Sequence, residues 1–358
     1  MKPKQAVVLF CFSALMAWSL VARTPGEFSP PARTFLLTYQ VTLKDIPAGA
    51  QRVRLWIPRA VTDTNQTVVL RKVNGPVHLC ETREASFGNR ILYAEIMRPQ
   101  PGPAEFTLEY LVTRKEYSKG DYEDLGKAAR GPAAAPKYLG RFLEPDRLVP
   151  IDGRIKELAN ENTRGKQGAV ERARALYDYV FQTVRYDKSG TGWGRGDSLW
   201  VCDAKHGNCT DFHSLFISLA RAEGIPARFE IGFPVPAGTE GTIPGYHCWA
   251  EFFLNGVGWV PVDISEAWKD PKKHDYFFGA LDANRVQFSV GRDLTLQPKQ
   301  DGGPLNYFIY PYAEVDGKPF EGIEKKFSYR EVAPPGAAGI ARLIGANRLA
   351  KAITPSAG

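Results

Sequence analysis

Short alternating runs fill the first third of the chain. From Thr34 to about Thr113 apolar and polar residues alternate in "TFLLTYQVTL", "QRVRLWIP", "TVVLRKV", "RILYAEI" and "AEFTLEYLVT", with Gly, Pro and Asn clusters between them. Side chains on a strand point alternately to its two faces, so this pattern predicts half-buried strands, and their spacing predicts a small β-sandwich over residues 34–113. The Gly/Ala/Pro-rich stretch 114–149 reads as a linker. The period then lengthens. "DGRIKELANE" predicts a short helix, and "GAVERARALYDYVFQTVRY" puts Val170, Ala173, Leu176, Tyr177, Val180 and Val184 on one helical stripe. "DFHSLFISLARAEG" repeats Phe212, Leu215, Phe216 and Leu219 at helical spacing, with Gly224 and Pro226 as stop signals. "ARFEIGF", "YHCWAEFFL", "GWVPVD", "LNYFIYPYAEV" and "KKFSYREV" return to the strand pattern. The expected fold class is therefore α+β: a mixed domain over 150–331, preceded by the sandwich and followed by a flexible Ala/Gly/Pro-rich tail, 332–358.

Composition narrows the classes. The 358 residues carry a formal charge of +7, and 44% are hydrophobic. There is material for sizeable cores, and the basic excess is spread along the chain with no concentrated footprint, which argues against a nucleic-acid partner. The N-terminus, "MKPKQAVVLFCFSALMAWSLVA", sets two lysines before an apolar run that ends in small residues. That is the layout of a secretory signal, residues 1–22, and it predicts a periplasmic or secreted protein with no stable membrane insertion after cleavage. An uncleaved anchor is the other reading, because roughly seventeen residues is near the lower limit for a bilayer span. Outside the leader, Cys80, Cys202, Cys209 and Cys248 allow two, one or no disulfides.

The candidate chemistry centres on "HGNCTDFHSL", residues 206–215. A cysteine that opens a helix faces unpaired N–H groups and the positive end of the helix dipole, both of which favour the thiolate. Cys209 holds that place. A thiolate nucleophile also needs a histidine to pair with it and protonate the leaving group, and an acceptor to orient that histidine. If Asn255–Val257 form a three-residue loop, Leu254 pairs with Gly258 and Trp249 falls opposite Asp263, so His247 and Asp263 share a face diagonally across the ladder. A two-residue loop would send them to opposite faces. Cys248 alternates away from His247 and reads as a core residue, while His274 in "KDPKKHDY" reads as exposed. The loop "DKSGTGWGRGDSLW" lacks the spacing of a phosphate-binding loop, and no cofactor is implied.

"GNCTDFHSLFISLARAEGIPAR", "GYHCWAEFFLNGVGWVPVD" and "YDKSGTGWGRGD" resemble the transglutaminase-like superfamily of papain-type thiol enzymes, most of all its exported bacterial members. The resemblance implies a papain-like core in which a Cys-bearing helix packs on an antiparallel sheet. It also implies Cys209 as nucleophile, His247 as base and Asp263 as orienting acid. A donor to the tetrahedral oxyanion would come from the Cys209 N–H together with Trp193, Asn208 or Trp200. The activity so implied is acyl transfer on protein or peptide amides through a Cys209 thioester, hydrolysis being slightly favoured over amine transfer. Two readings from other classes compete: a non-catalytic envelope binding protein, and a zinc protein using Cys202, His206, Cys209 and His213 at spacings of four, three and four. Gly207 and Asn208 interrupt the helical face that such a zinc site would need.

Overall fold

The computed structural model describes residues 31–129 and 137–334. The leader 1–22 and most of the tail 332–358 lie outside the described residues.

Six strands open the described chain: β1 (Ala32–Ile46), β2 (Arg52–Arg59), β3 (Gln66–Asn74), β4 (Cys80–Arg83), β5 (Arg90–Met97) and β6 (Gly102–Lys115). The alternation seen in the sequence is the reason they pair as they do. Phe35, Leu37, Tyr39, Val41 and Leu43 of β1 are buried in one core with Val53, Leu55 and Ile57 of β2, Leu92 and Ala94 of β5, and Phe106, Leu108, Tyr110 and Val112 of β6. The strands divide between two five-stranded sheets, and both sheets recruit strands from the far end of the chain. Ile323–Glu331 inserts between β1 and Glu240–Thr242 in the first sheet, and Tyr312–Val315 with Lys318–Pro319 extends the second beyond β2. The outer face of the second sheet is covered in turn, since Trp56, Ile91 and Tyr93 pack with Leu294, Leu296 and Phe308. Within 114–149 lie the two-residue strand Tyr117–Ser118 and the helix Tyr122–Ala128, whose N-cap Asp121 accepts from Asp124 N–H.

The third sheet is four-stranded and antiparallel, in the order Gly258–Val262, His247–Leu254, Ala227–Pro234, Arg285–Val290. Helix Cys209–Ala222 packs on it, flanked by helices Gly153–Asn162, Gly168–Thr183 and Ser198–Ala204. This central helix is buried along its length, from Cys209 to Arg221, which is why its sequence is apolar well beyond a single stripe. The predicted stripe of Val170, Ala173, Leu176, Tyr177 and Val180 is buried in the same core. The mixed α+β architecture, with a sheet-rich N-terminal region and a helix-on-sheet core, is the one expected. His274 departs from expectation: it is largely covered, with its ring 4.4 Å from that of Phe181 and its Nε2 3.1 Å from Asp178.

Gly232 is required by close approach. A Cβ at Gly232 would lie 1.8 Å from the Val286 carbonyl oxygen, at the point where the pairing of Ala227–Pro234 with Arg285–Val290 shifts register. Gly232→Ala must push the strand carrying Arg285 away from the sheet. It is expected to lower unfolding free energy by about 3 kcal/mol, as overpacking against backbone does, read as a fall in the midpoint of urea denaturation.

Candidate active site

Cys209 begins its helix because the residues around it form a reciprocal cap. Asn208 is the N-cap, its Oδ1 accepting from Thr210 N–H at 2.8 Å, while the Asp211 carboxylate reaches back to Asn208 N–H at 2.8 Å. Asp211 does more than close the box. The same carboxylate accepts from Gly194 N–H at 2.6 Å and Gly196 N–H at 2.9 Å, so it ties the glycine-rich loop to the first turn of the Cys209 helix. Burial raises the Asp211 pKa, against the pull of these three N–H donors. The loop is held from its other side by the buried Arg292, which donates to the carbonyls of Arg195 and Gly196, both at 2.8 Å. Gly196 has φ +63°, and a Cβ there would lie 2.3 Å from Ser214 Oγ.

The hairpin has the three-residue register: Leu254 faces Gly258 and Ala250 faces Val262. Asp263 follows that strand directly and caps the helix Ile264–Lys269, its Oδ1 accepting from Glu266 N–H and Ser265 Oγ, each at 3.1 Å. Its Oδ2 faces His247 Nε2 at 2.7 Å. The other ring nitrogen of His247 is left for Cys209, whose sulfur hydrogen-bonds the imidazole. Cysteine, histidine and aspartate thus form one continuous line of contacts, with 2% of Cys209, 5% of His247 and none of Asp263 exposed.

Burial alone would hold all three groups neutral. Desolvation opposes the Cys209 thiolate, but hydrogen bonds from Cys248 and His247 and the imidazolium charge bring its pKa well below the usual thiol value. Desolvation likewise opposes His247 ionisation, and the Asp263 carboxylate overcomes it, raising the imidazole to about 10. Asp263 is buried too, yet His247 and Arg285 keep it ionised far below the ordinary carboxylate range. These shifts all favour a thiolate–imidazolium pair backed by a carboxylate, the arrangement that a thiol nucleophile with an acid beside it requires. Alkylation of Cys209 by iodoacetamide is therefore expected to be fast and nearly independent of pH from about 6 to 9, whereas a free thiol would accelerate steeply toward its pKa near 8.5. In His247→Ala the rate should regain that steep rise. A wild-type rate tracking an ordinary thiol would show that the pair is not formed.

Arg285 went unrecognised in the sequence. It is 2% exposed, donates through Nη1 to Asp263 Oδ2 at 2.8 Å, and lies 5.1 Å from the Trp249 ring. No local pattern marks it, because its carboxylate partner is on another element. Tyr246 is a second such residue. Its hydroxyl accepts from Asn208 Nδ2 at 2.9 Å and bonds Thr210 Oγ1 at 2.8 Å. The residue before His247 is thereby joined to both neighbours of Cys209. His213 takes a third position: it donates to the Cys209 carbonyl and its Nε2 accepts from Ile264 N–H at 3.0 Å. Burial holds it neutral, with its pKa lowered to about 4. Asp211 was not singled out either, although Asn-Cys-Thr-Asp carries a capping-box spacing that could have found it.

The zinc reading does not survive this geometry. His213 has both ring nitrogens engaged, His206 faces the Asp187 carbonyl through Nδ1 at 3.2 Å and packs on Trp200, and Cys202 is on a separate helix. Among the described residues no group of three or more His, Cys, Asp or Glu is arranged to hold a metal ion. Of the three oxyanion candidates, Asn208 is occupied in capping the helix and bonding Tyr246. Trp193 and Trp200 are half-buried, and the Trp200 indole nitrogen abuts Gly192. The described cysteines are all free thiols. No helix among the described residues is long and apolar enough to cross a membrane.

Residues 156–264 match the model of the Transglutaminase-like superfamily. The chain is 28% identical over 341 residues to an uncharacterized protein of Haemophilus influenzae, covering 84% of this chain and 90% of that one. It is 25% identical over 150 residues to the uncharacterized protein YebA of Bacillus subtilis, covering 37% of this chain and 20% of that one. A Cytophaga hutchinsonii protein described as a cysteine protease candidate shares the fold, with a TM-score of 0.60 at 16% identity over 86% of this chain and 93% of that one.

Proposed function

We propose, from the match of residues 156–264 to the model of the Transglutaminase-like superfamily, that this chain is a thiol enzyme that transfers acyl groups from protein or peptide amides. The observation that carries the reading is the unbroken line from Cys209 through His247 to Asp263. The Cys209 thiolate attacks the amide carbonyl, and the C–N bond breaks as the His247 imidazolium gives its proton to the departing amine or ammonia. Asp263 holds the ring in place and stabilises its charge throughout. The Cys209 N–H, at the first position of its helix, supplies one donor to the oxyanion, and an indole of Trp193 or Trp200 supplies the second. The thioester then meets a second nucleophile. Water is present at bulk concentration unless a site excludes it, so hydrolysis is the leading outcome and amine transfer the other. The leader-like pattern of residues 1–22 supports an exported protein, which makes envelope or extracellular polypeptides the substrate pool.

The test is incubation with a glutamine-containing protein, with and without a primary amine, followed by mass spectrometry. Deamidation or backbone cleavage supports hydrolysis, and incorporation of the amine supports transfer. An intact, unmodified substrate across a panel of polypeptides, with Cys209 fully alkylatable, would overturn the enzymatic reading.

A further inference from the structure

A second sulfur stands in the site that the acyl-transfer chemistry does not use. Strand alternation sends Cys248 to the face opposite His247, and the core reading is right as far as burial goes, with no exposure at all. That face, however, is the one on which the Cys209 helix packs. The Cys248 sulfur lies 3.7 Å from Thr210 Oγ1 and 3.8 Å from His213 Nδ1, the residues one and four places after Cys209. That thiol donates to Thr210 Oγ1 and stands close enough to the Cys209 sulfur for the two to shift each other's pKa, Cys209 downward and Cys248 upward. Two free thiols are thus buried beside the same first turn of the helix, one of them nucleophilic and the other protected inside the core.

We propose that Cys248 is the resolving thiol of Cys209, so that a two-electron oxidant such as hydrogen peroxide converts the pair reversibly into a Cys209–Cys248 disulfide that switches the nucleophile off. The steps balance. The Cys209 thiolate attacks peroxide, the S–O bond forms as the O–O bond breaks, and hydroxide leaves and is protonated to water. Cys248 then surrenders its thiol proton and attacks the sulfenic sulfur. The S–S bond forms, the S–O bond breaks and a second water departs. Two thiols have lost two electrons and two protons, and one peroxide has become two waters. Burial and the neighbouring thiolate keep Cys248 protonated at rest, its pKa well above that of a free thiol. It therefore neither competes as a nucleophile nor reacts before Cys209 has been oxidised. The nearness of Cys248 to the first turn of the Cys209 helix makes the second step faster than further oxidation of the sulfenic acid. Cys202 has no such role: it is buried on the neighbouring helix, and desolvation raises its pKa.

The experiment reads the sulfur directly and needs no substrate. The full chain carrying Cys80→Ser, which removes the exposed thiol, is titrated with hydrogen peroxide, digested without reductant and mapped by mass spectrometry. A linked Cys209–Cys248 peptide is expected, with iodoacetamide labelling of Cys209 restored by dithiothreitol. In Cys248→Ala the sulfenic acid has no partner, and the dithiothreitol-recoverable labelling should fall at least about fivefold as sulfinic acid accumulates. Cys248→Ser, which keeps shape and a hydroxyl beside Thr210, should behave the same way if the alanine variant folds poorly. Sulfinic acid at Cys209 in the parent chain without a linked peptide would overturn the proposal, as would a bridge from Cys209 to Cys202. A disulfide found in a chain that turns over no amide would leave this inference standing and remove the acyl-transfer reading.

Discussion

Cys209→Ala is expected to lower amide turnover by about 10⁴-fold or more, to background, because the covalent route disappears with the sulfur and the remaining groups can only polarise a carbonyl. Iodoacetamide should no longer modify position 209, while exposed Cys80 keeps its adduct as an internal control. The fold should not suffer. The substitution is small, and it removes a thiolate held in a site where 2% of the residue is exposed. A buried anion costs solvation, so the thermal midpoint is expected to stay level or rise, as when a strained functional group is deleted. Turnover of protein or peptide amides that survives the substitution would assign the activity to some other site.

Asp263→Asn should be nearly as damaging, and in two separable ways. The carboxylate accepts from His247 and Arg285 through Oδ2 and from Ser265 and Glu266 through Oδ1. A carboxamide has one acceptor oxygen, so its NH₂ must confront a donor on one side. For His247 this loses both the orientation of the ring and the charge that raises its pKa to about 10. A loss of about 10⁴-fold in kcat is expected, as for other triads whose acid is made an amide. The acid limb of the iodoacetamide profile should move upward, since a weaker imidazolium no longer holds the thiolate. For Arg285 the change leaves a buried cation with Asp282 alone at 3.4 Å, which costs about 3–5 kcal/mol. Adding Arg285→Met should recover much of that stability in urea denaturation while turnover stays low. If Asp263→Asn proved unstable but kept its kcat, Asp263 would be a charge partner for Arg285, and His247 would owe its orientation to something else.

How much of this was legible before folding follows from how local each feature is. The strand and helix periods were readable because burial of a face repeats every two or every 3.6 residues along the chain itself. Cys209 at a helix start was readable because Gly207, Asn208 and the following apolar run are adjacent in sequence. The alignment of His247 with Asp263 was readable because only three residues, Asn255 to Val257, set the hairpin register. Arg285, Arg292 and Tyr246 were not, since each bonds groups on distant elements and sits within an unremarkable local pattern.

Cys248 shows the limit most clearly. Alternation assigned it to the core, which is where it lies, but not to the sulfur of Cys209, because the sequence does not say which helix covers that face of the strand. In the same way the run "KKFSYREV" announced a strand without announcing that it pairs with β1. The sequence by itself determined the elements, the cysteine at a helix N-terminus and the shared face of histidine and aspartate, all of them consequences of backbone geometry over a few residues. Only the tertiary structure decided which faces met. Packing choices between distant segments depend on complementary shape and charge, and these leave no period in the chain. Those choices brought Arg285 to Asp263, the glycine loop to Asp211, and a second thiol to the first.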